Sequence, residues 1–375
     1  MDYCTDGGWR MGDGGPNGRL PIAHAFGECR ATSLALSTIH YLSCHMEQLK
    51  LDVLVTRGNH VESRHRVHAA IVDAQQGLIA EARRSDEVVP WRSCAKPFQL
   101  MPLIAADGLE RLHWGDDQIA LACASHGGEP EHVAIASKML LDLGLEEGDL
   151  ACGPHEPMAR RGAKVLRDAG LSPTRLHNNC SGKHAAMLAR ARLAAWPTQD
   201  YEKFGHPVQD SCLGTVAAWT GVPREKIPCA VDGCGVVVFL LPLDGMAAAY
   251  ARLARDAKGG SEIPARITSA MRTRPFLVGG TDRFDTVLME ETDGQILSKI
   301  GAEGVHSAAI LDRGIGIAIK VEDGATRAQF PALLAALQWL KAIPESLPAR
   351  LSEFAMPRVR NTRGEAVGEV HVVAA

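Results

Sequence analysis

A regular alternation of apolar and polar positions begins near Leu51. Asp52 to Arg57 and Arg66 to Val72 are rich in β-formers, and Leu78 to Ala82 follows a Gln-Gly turn. This spacing predicts an antiparallel opening to a sheet. After Val88 to Pro97 the period lengthens to that of a helix and runs to about Ala106, with Gly108 as a stop signal. Helical periods recur over His132 to Leu143, Pro157 to Ala169, Lys183 to Trp196 and His206 to Trp219. Gly144, Gly170 and Gly221 stand where three of these would end. Gly235 to Leu241 is an apolar run of strand length, and helix returns over Gly245 to Ala257 and Pro264 to Thr273. In the last third, Asp285 to Glu291 and Gln295 to Ile300 flank Asp293-Gly294, a pairing that predicts a hairpin. His306 to Leu311 and Gly316 to Val321 flank a second turn. Pro331 to Leu340 is helical with its proline in the first turn, and Ala366 to Val373 offers a closing strand. Strands at both ends of a helical middle predict an α+β fold: one mixed, mainly antiparallel sheet and a helical lobe over about residues 100–230.

Residues 1–45 interrupt this picture. They hold Gly-rich stretches and one weak apolar run, Ser33 to Leu42, that lacks the basic start and small-residue cleavage site of a signal peptide. They are expected to be a disordered extension, because they lack the apolar period that offsets ordering entropy. Residues 46–375 are expected to form a single domain, with Met46 a natural start.

Composition narrows the classes. Hydrophobic residues make up 46% and charged residues 22%, which is ordinary globular usage. The net charge of −4 and the lack of a basic patch argue against a nucleic-acid binder. No apolar run reaches membrane-spanning length. The ten cysteines are scattered through apolar or Gly-rich segments, which suits buried thiols in a reducing, cytoplasmic compartment better than a disulfide framework.

Four segments could carry chemistry. In Ser93-Cys94-Ala95-Lys96, a serine and a lysine three residues apart share a helical face. A lysine whose pKa is lowered by burial or by positive neighbours, such as Arg92 and a helix N-terminus, can take the serine's proton. Alone, the motif occurs often by chance and reads more readily as an N-capping serine and a surface lysine. Ser125-His126-Gly127-Gly128 follows an apolar element, and its glycines allow close backbone approach to a ligand. Ser298-Lys299-Ile300-Gly301 resembles the K-T-G element that faces S-x-x-K in penicillin-binding enzymes. Finally, Cys180, His184 and Cys234 are candidate soft ligands for zinc, or simply two buried thiols and a core histidine.

Taken together, these segments carry a family resemblance. The chain from about Leu51 to Leu340 resembles the rhizobial-type L-asparaginases, whose fold is akin to serine β-lactamases and glutaminases. Trp91 to Gln99, Cys123 to Glu129, His177 to His184, Val231 to Gly235 and Lys299 to Gly304 carry it. The resemblance implies hydrolysis of L-asparagine by two Ser-Lys pairs, Ser93 with Lys96 and Ser125 with Lys299, with Ser93 as nucleophile. It implies zinc held by Cys180, Lys183 and Cys234, in place of the His184 that spacing favours, with Asp232 orienting metal-bound water. Arg92, His126, Gly127, Gly301, Ala302 and Glu303 are the corresponding substrate-binding set. It further implies a homodimer. Two rival functions share parts of this pattern. A β-lactam or D-peptide hydrolase would use the same nucleophile, but its S-D-N element is replaced here by Ser125-His126-Gly127. A non-catalytic zinc or redox sensor would use Cys180 and Cys234 alone. A chain beginning at Met46 is expected to keep full stability and activity, and loss of soluble protein on that truncation would overturn the assignment of residues 1–45.

Overall fold

A computed structural model describes residues 46–373. The expected disorder of residues 1–45 concerns a segment outside these described residues. The fold is α+β, as the element pattern predicts, but its strands form three sheets of six, four and three strands where one was expected. The division falls at Arg66. His60–His65 pairs with Val53–Arg57, whereas Val67–Asp73 pairs with Gly77–Ala82, so the opening meander feeds two sheets. The strand His60–His65 escapes sequence reading because it is mostly exposed and carries almost no apolar alternation.

The six-stranded sheet runs, edge to edge, Glu47–Gln48, Gly77–Ala82, Val67–Asp73, Ile315–Val321, Val305–Ile310 and Ile296–Ile300. Its one parallel pairing, Glu47–Gln48 on Gly77–Ala82, is short. The sheet is buried on both faces, and its alternation serves two cores. In Ile315–Val321, Ile315, Ile317, Ile319 and Val321 pack into one core with the helix Thr326–Trp339, while Ala318 faces the other. That second face is built for close approach. A Cβ on Gly316 would lie 2.0 Å from the Ala247 carbonyl oxygen, so only glycine lets the helix Leu243–Lys258 lie this near the strand.

The helical lobe contains Lys96–Ile104, Asp116–Cys123, Pro130–Asp142, Arg160–Ala169, Ser181–Leu193 and Pro207–Thr220. Gly144, Gly170 and Gly221 adopt positive φ at or just past three helix ends, as their placement suggests. Two expectations fail. Phe284–Glu291 is a helix and not the first strand of a hairpin, so Asp293-Gly294 links helix to strand. Phe284, Val287 and Leu288 fall at i, i+3 and i+4 and are all buried, a helical period hidden under a strong turn signal. The last long helix starts at Thr326, so Pro331 lies beyond its first turn. Asp323 accepts the Ala325 N–H there and begins the helix early. No helix among the described residues is long and apolar enough to cross a membrane.

Candidate active site

Ser93 stands on a one-turn 3₁₀ segment, Arg92–Ala95, that runs directly into the helix Lys96–Ile104. In a 3₁₀ turn, residues i and i+3 eclipse, which sets Ser93 over Lys96. The turn is braced from all sides. Trp91 is fully buried, stacks on Phe98 at 4.9 Å, and donates Nε1–H to the Ser307 hydroxyl at 3.2 Å. An indole so placed is worth about 3–5 kcal/mol against alanine. The Tyr250 hydroxyl donates to the Cys94 carbonyl at 2.8 Å. The Cys94 thiol donates to the Lys299 carbonyl at 3.0 Å, and burial pushes this thiol up to about 12. Cys94 is therefore an S–H donor joining the Ser93 turn to the Lys299 strand, not a second nucleophile. Arg92 takes a left-handed conformation with φ of 54°, and its Nε–H donates to Asp232 at 2.7 Å. That ion pair ties the Ser93 turn to the Asp232-Gly233-Cys234 turn.

Two lysine amines meet at Ser125. Lys299 Nζ lies 2.7 Å from the Ser125 hydroxyl and Lys96 Nζ 3.2 Å from it, and all three residues are buried. Lys96 also donates to the Ala124 and Asn179 carbonyls, and Lys299 to the Ile300 carbonyl at 2.8 Å. Burial lowers Lys299 to about 8; the Lys96 charge adds to this, while Asp285 opposes it. If both amines donated, the hydroxyl proton of Ser125 would have no acceptor, whereas a neutral Lys299 can take it. Ser93 is only half-buried, and no hydrogen bond from its hydroxyl occurs among the described residues. Three of the four expected residues are thus joined, both lysines bonding to Ser125, while among the described residues the Ser93 hydroxyl has no amine partner.

The Ser125 loop is held by neighbours and not by substrate-facing groups. His126 is fully buried. Its Nδ1 accepts the Gly128 N–H at 3.1 Å and its Nε2 meets the Ser181 hydroxyl at 2.9 Å, so the ring supports the loop. Both ring nitrogens are engaged within the protein. The Ser125 N–H donates to the Val278 carbonyl. Gly127 and Gly301 are buried, while Ala302 and Glu303 stand exposed past the end of the Lys299 strand.

Cys180, Lys183 and Cys234 converge beside this centre. A Cβ on Gly182 would lie 2.4 Å from the Leu121 carbonyl oxygen, so glycine lets the helix Ser181–Leu193 press against Asp116–Cys123, the helix leading into Ser125. Lys183 Nζ donates to Cys234 Sγ at 3.0 Å. Pairing of the two sulfurs holds Cys234 well below the usual thiol range and pushes Cys180, whose thiol donates to Asn179 Oδ1 at 3.0 Å, up to about 12. Burial would lower Lys183, yet the two sulfurs hold its amine above the usual lysine range. Among the described residues no group of three or more His, Cys, Asp and Glu side chains could hold a metal ion. Two sulfurs and one amine in a buried place are nevertheless a donor set that fits zinc once their protons leave. His184, the ligand that spacing favours, instead bonds Tyr201 through Nδ1 at 2.6 Å. It shares the helix with Lys183 but turns to a different neighbour. The seven described cysteines are all free thiols.

Sequence reasoning missed the buried polar cluster behind Lys299. Asp285, Ser298, His306 and Gln329 are each nearly or fully closed to solvent. No motif marks Asp285, His306 or Gln329, and Ser298 stands in the Lys299 segment with no role of its own.

Comparison with curated proteins finds no match to this chain. The family model described as L-asparaginase II matches residues 53–372, nearly the whole described body, and spans every residue of the site above. The chain belongs to the L-asparaginase II family.

Proposed function

We propose that this protein hydrolyses the side-chain amide of L-asparagine to L-aspartate and ammonia through an acyl-enzyme on Ser93. Family membership supports amide hydrolysis of asparaginase type. The observation that best supports the serine mechanism is the Lys96–Ser125–Lys299 chain of hydrogen bonds beside the Ser93 turn. Ser93 Oγ adds to the amide carbon as its proton passes to Lys96, which gives one of its own through Ser125 to a neutral Lys299. The carbonyl oxygen becomes an oxyanion held by backbone N–H groups, other than that of Ser125, which is already engaged. Ser125 and Lys299 relay a proton to the amide nitrogen, the C–N bond breaks, and ammonia leaves. Water then adds to the ester, its proton returns through the same chain, and Ser93 is released with L-aspartate. One observation favours exchanging the serines: Ser125 is the one with amine hydrogen bonds. Exposure favours Ser93, because Ser125 is 3% exposed and Ser93 is open to an incoming substrate.

Cys180, Lys183 and Cys234 would hold zinc, which when bound supplies a Lewis acid that anchors polar groups of the substrate. Cys180→Ser and Cys234→Ser are expected to lower zinc content, read by elemental mass spectrometry, and to raise KM more than they lower kcat. Full zinc occupancy in both variants would show that the ligands are misassigned. Zinc lost in His184→Ala but kept in Lys183→Ala would return the ligand role to His184.

The working form we propose is a cytoplasmic homodimer, to be checked by light scattering on the purified protein. Ammonia release from L-asparagine and L-glutamine, measured side by side, tests the activity. No release from L-asparagine would overturn it, and turnover of a chromogenic β-lactam would favour the hydrolase rival instead.

A further inference from the structure

Lys299 lies on Ile296–Ile300, an edge of the six-stranded sheet, and among the described residues no strand pairs with its outer side. An unpaired edge is free to shift in register and twist, yet the Lys299 amine must stay within hydrogen-bond reach of Ser125. A carboxylate takes the place of the missing strand. Asp285, in the first turn of the helix Phe284–Glu291, accepts the Ile300 N–H through Oδ2 at 2.9 Å and the Ser298 hydroxyl through Oδ1 at 2.7 Å. Strand alternation sends the Ser298 side chain to the face opposite Lys299. One carboxylate therefore grips the strand on both sides of Lys299.

The grip is itself supported. Gln329 Nε2 donates to the Val305 and Gly301 carbonyls and lies 3.3 Å from His306 Nδ1. His306 Nε2 in turn faces the Ser298 hydroxyl at 2.9 Å and Asp285 Oδ1 at 3.2 Å. The same glutamine thus joins the support of Asp285 to Gly301, where the strand ends. These four polar residues lie at 2% exposure or less, and buried polar side chains at this cost persist where they fix a geometry.

We propose that Asp285 is the positioning residue of Lys299, holding the edge strand so that the amine is aimed at Ser125. The proposal rests on the Ser-Lys mechanism for its kinetic consequence, but not for its physical one. The groups whose charge acts most on the Lys299 amine are Asp285, Lys96, Cys94 and Cys180. Of these, Asp285 is the carboxylate, held below the usual carboxylate range although burial opposes it, by the His306 hydrogen bond, the Lys299 charge and the Ile300 N–H. Losing its charge leaves Lys96 to act against protonation of Lys299, so the Lys299 midpoint must fall.

Asp285→Asn is the test. An amide has one acceptor oxygen, so one of the two grips is lost along with the charge. Expected are a kcat lower by roughly 10- to 100-fold with KM nearly unchanged, and a Lys299 midpoint lower by about one unit or more. The midpoint is read by lysine ¹⁵N NMR on the resting enzyme, without substrate. An unmoved midpoint, whatever the rate, overturns the proposal and leaves Asp285 a structural residue. If Asp285→Asn does not fold, Ser298→Ala removes one grip and keeps the charge. A several-fold fall in kcat at constant KM then supports the proposal, and an unchanged kcat overturns it. A wild-type protein that releases no ammonia from L-asparagine would sink the assigned activity, yet leave the NMR comparison able to decide the role of Asp285.

Discussion

Ser93→Ala is expected to form no covalent adduct with a reactive asparagine analogue and to lose roughly 10⁴-fold or more in kcat, the scale on which nucleophile loss is felt in serine hydrolases. The turn that presents Ser93 is fixed by groups other than its hydroxyl: the Trp91 indole, the Tyr250 hydroxyl, the Cys94 thiol and the Arg92–Asp232 pair. Removing one half-buried hydroxyl leaves each of these in place, so the variant should fold and bind substrate with a nearly unchanged KM. Ser125→Ala is expected to behave differently. It breaks the bridge between the two amines and should slow turnover while still permitting acylation. Mass spectrometry of the trapped protein locates the adduct. An adduct on Ser125 in the wild type, or an undiminished yield in Ser93→Ala, would exchange the two roles.

Much of this arrangement was legible because it is local. S-x-x-K, the Ser-His-Gly-Gly loop and the Lys299 segment each announce themselves within a few residues, and the helix-ending glycines mark the lobe. What stayed hidden depends on distant partners. Spacing alone puts both Lys183 and His184 within one turn of Cys180, and only the fold shows Lys183 turned to Cys234 and His184 to Tyr201. Likewise, S-x-x-K suggests that Lys96 belongs to Ser93 alone, whereas its amine reaches across to Ser125, 29 positions away. The segment of the helix Phe284–Glu291 reads as a strand in sequence because the Asp293-Gly294 signal outweighs a short helical period. That error also concealed Asp285, whose role depends on a helix standing against the edge strand.

Cys94 is a further instance. In sequence it is an unexplained thiol beside a candidate nucleophile; in the fold it is a protonated donor to the Lys299 carbonyl. Together with Asp285 it attaches the Lys299 strand to both neighbours of the site, the Ser93 turn on one side and the Phe284–Glu291 helix on the other. The two serines and two lysines therefore come from four separate elements whose spacing is held by buried hydrogen bonds. Such a framework positions groups before substrate arrives, which is where enzymes obtain much of their electrostatic advantage.

Turnover is expected to rise with pH through a midpoint near 8, and Lys299→Met is expected to remove that rise while lowering kcat by roughly 10²- to 10⁴-fold, the usual range for a general acid–base group. The sign follows from the charge. Below the midpoint Lys299 is an ammonium and can only donate to Ser125; above it the neutral amine can accept the Ser125 proton and pass it on. Burial is the main cause of the lowered value, so the midpoint should respond weakly to salt, unlike that of an exposed pair. Methionine keeps the length and apolar stem of lysine, which limits the repacking around a fully buried position. The pH dependence of kcat/KM for ammonia release, measured in wild type and Lys299→Met across pH 6 to 10, provides the check. A rise that persists in the variant with its midpoint unmoved would transfer the titration to another group and remove Lys299 from the proton path.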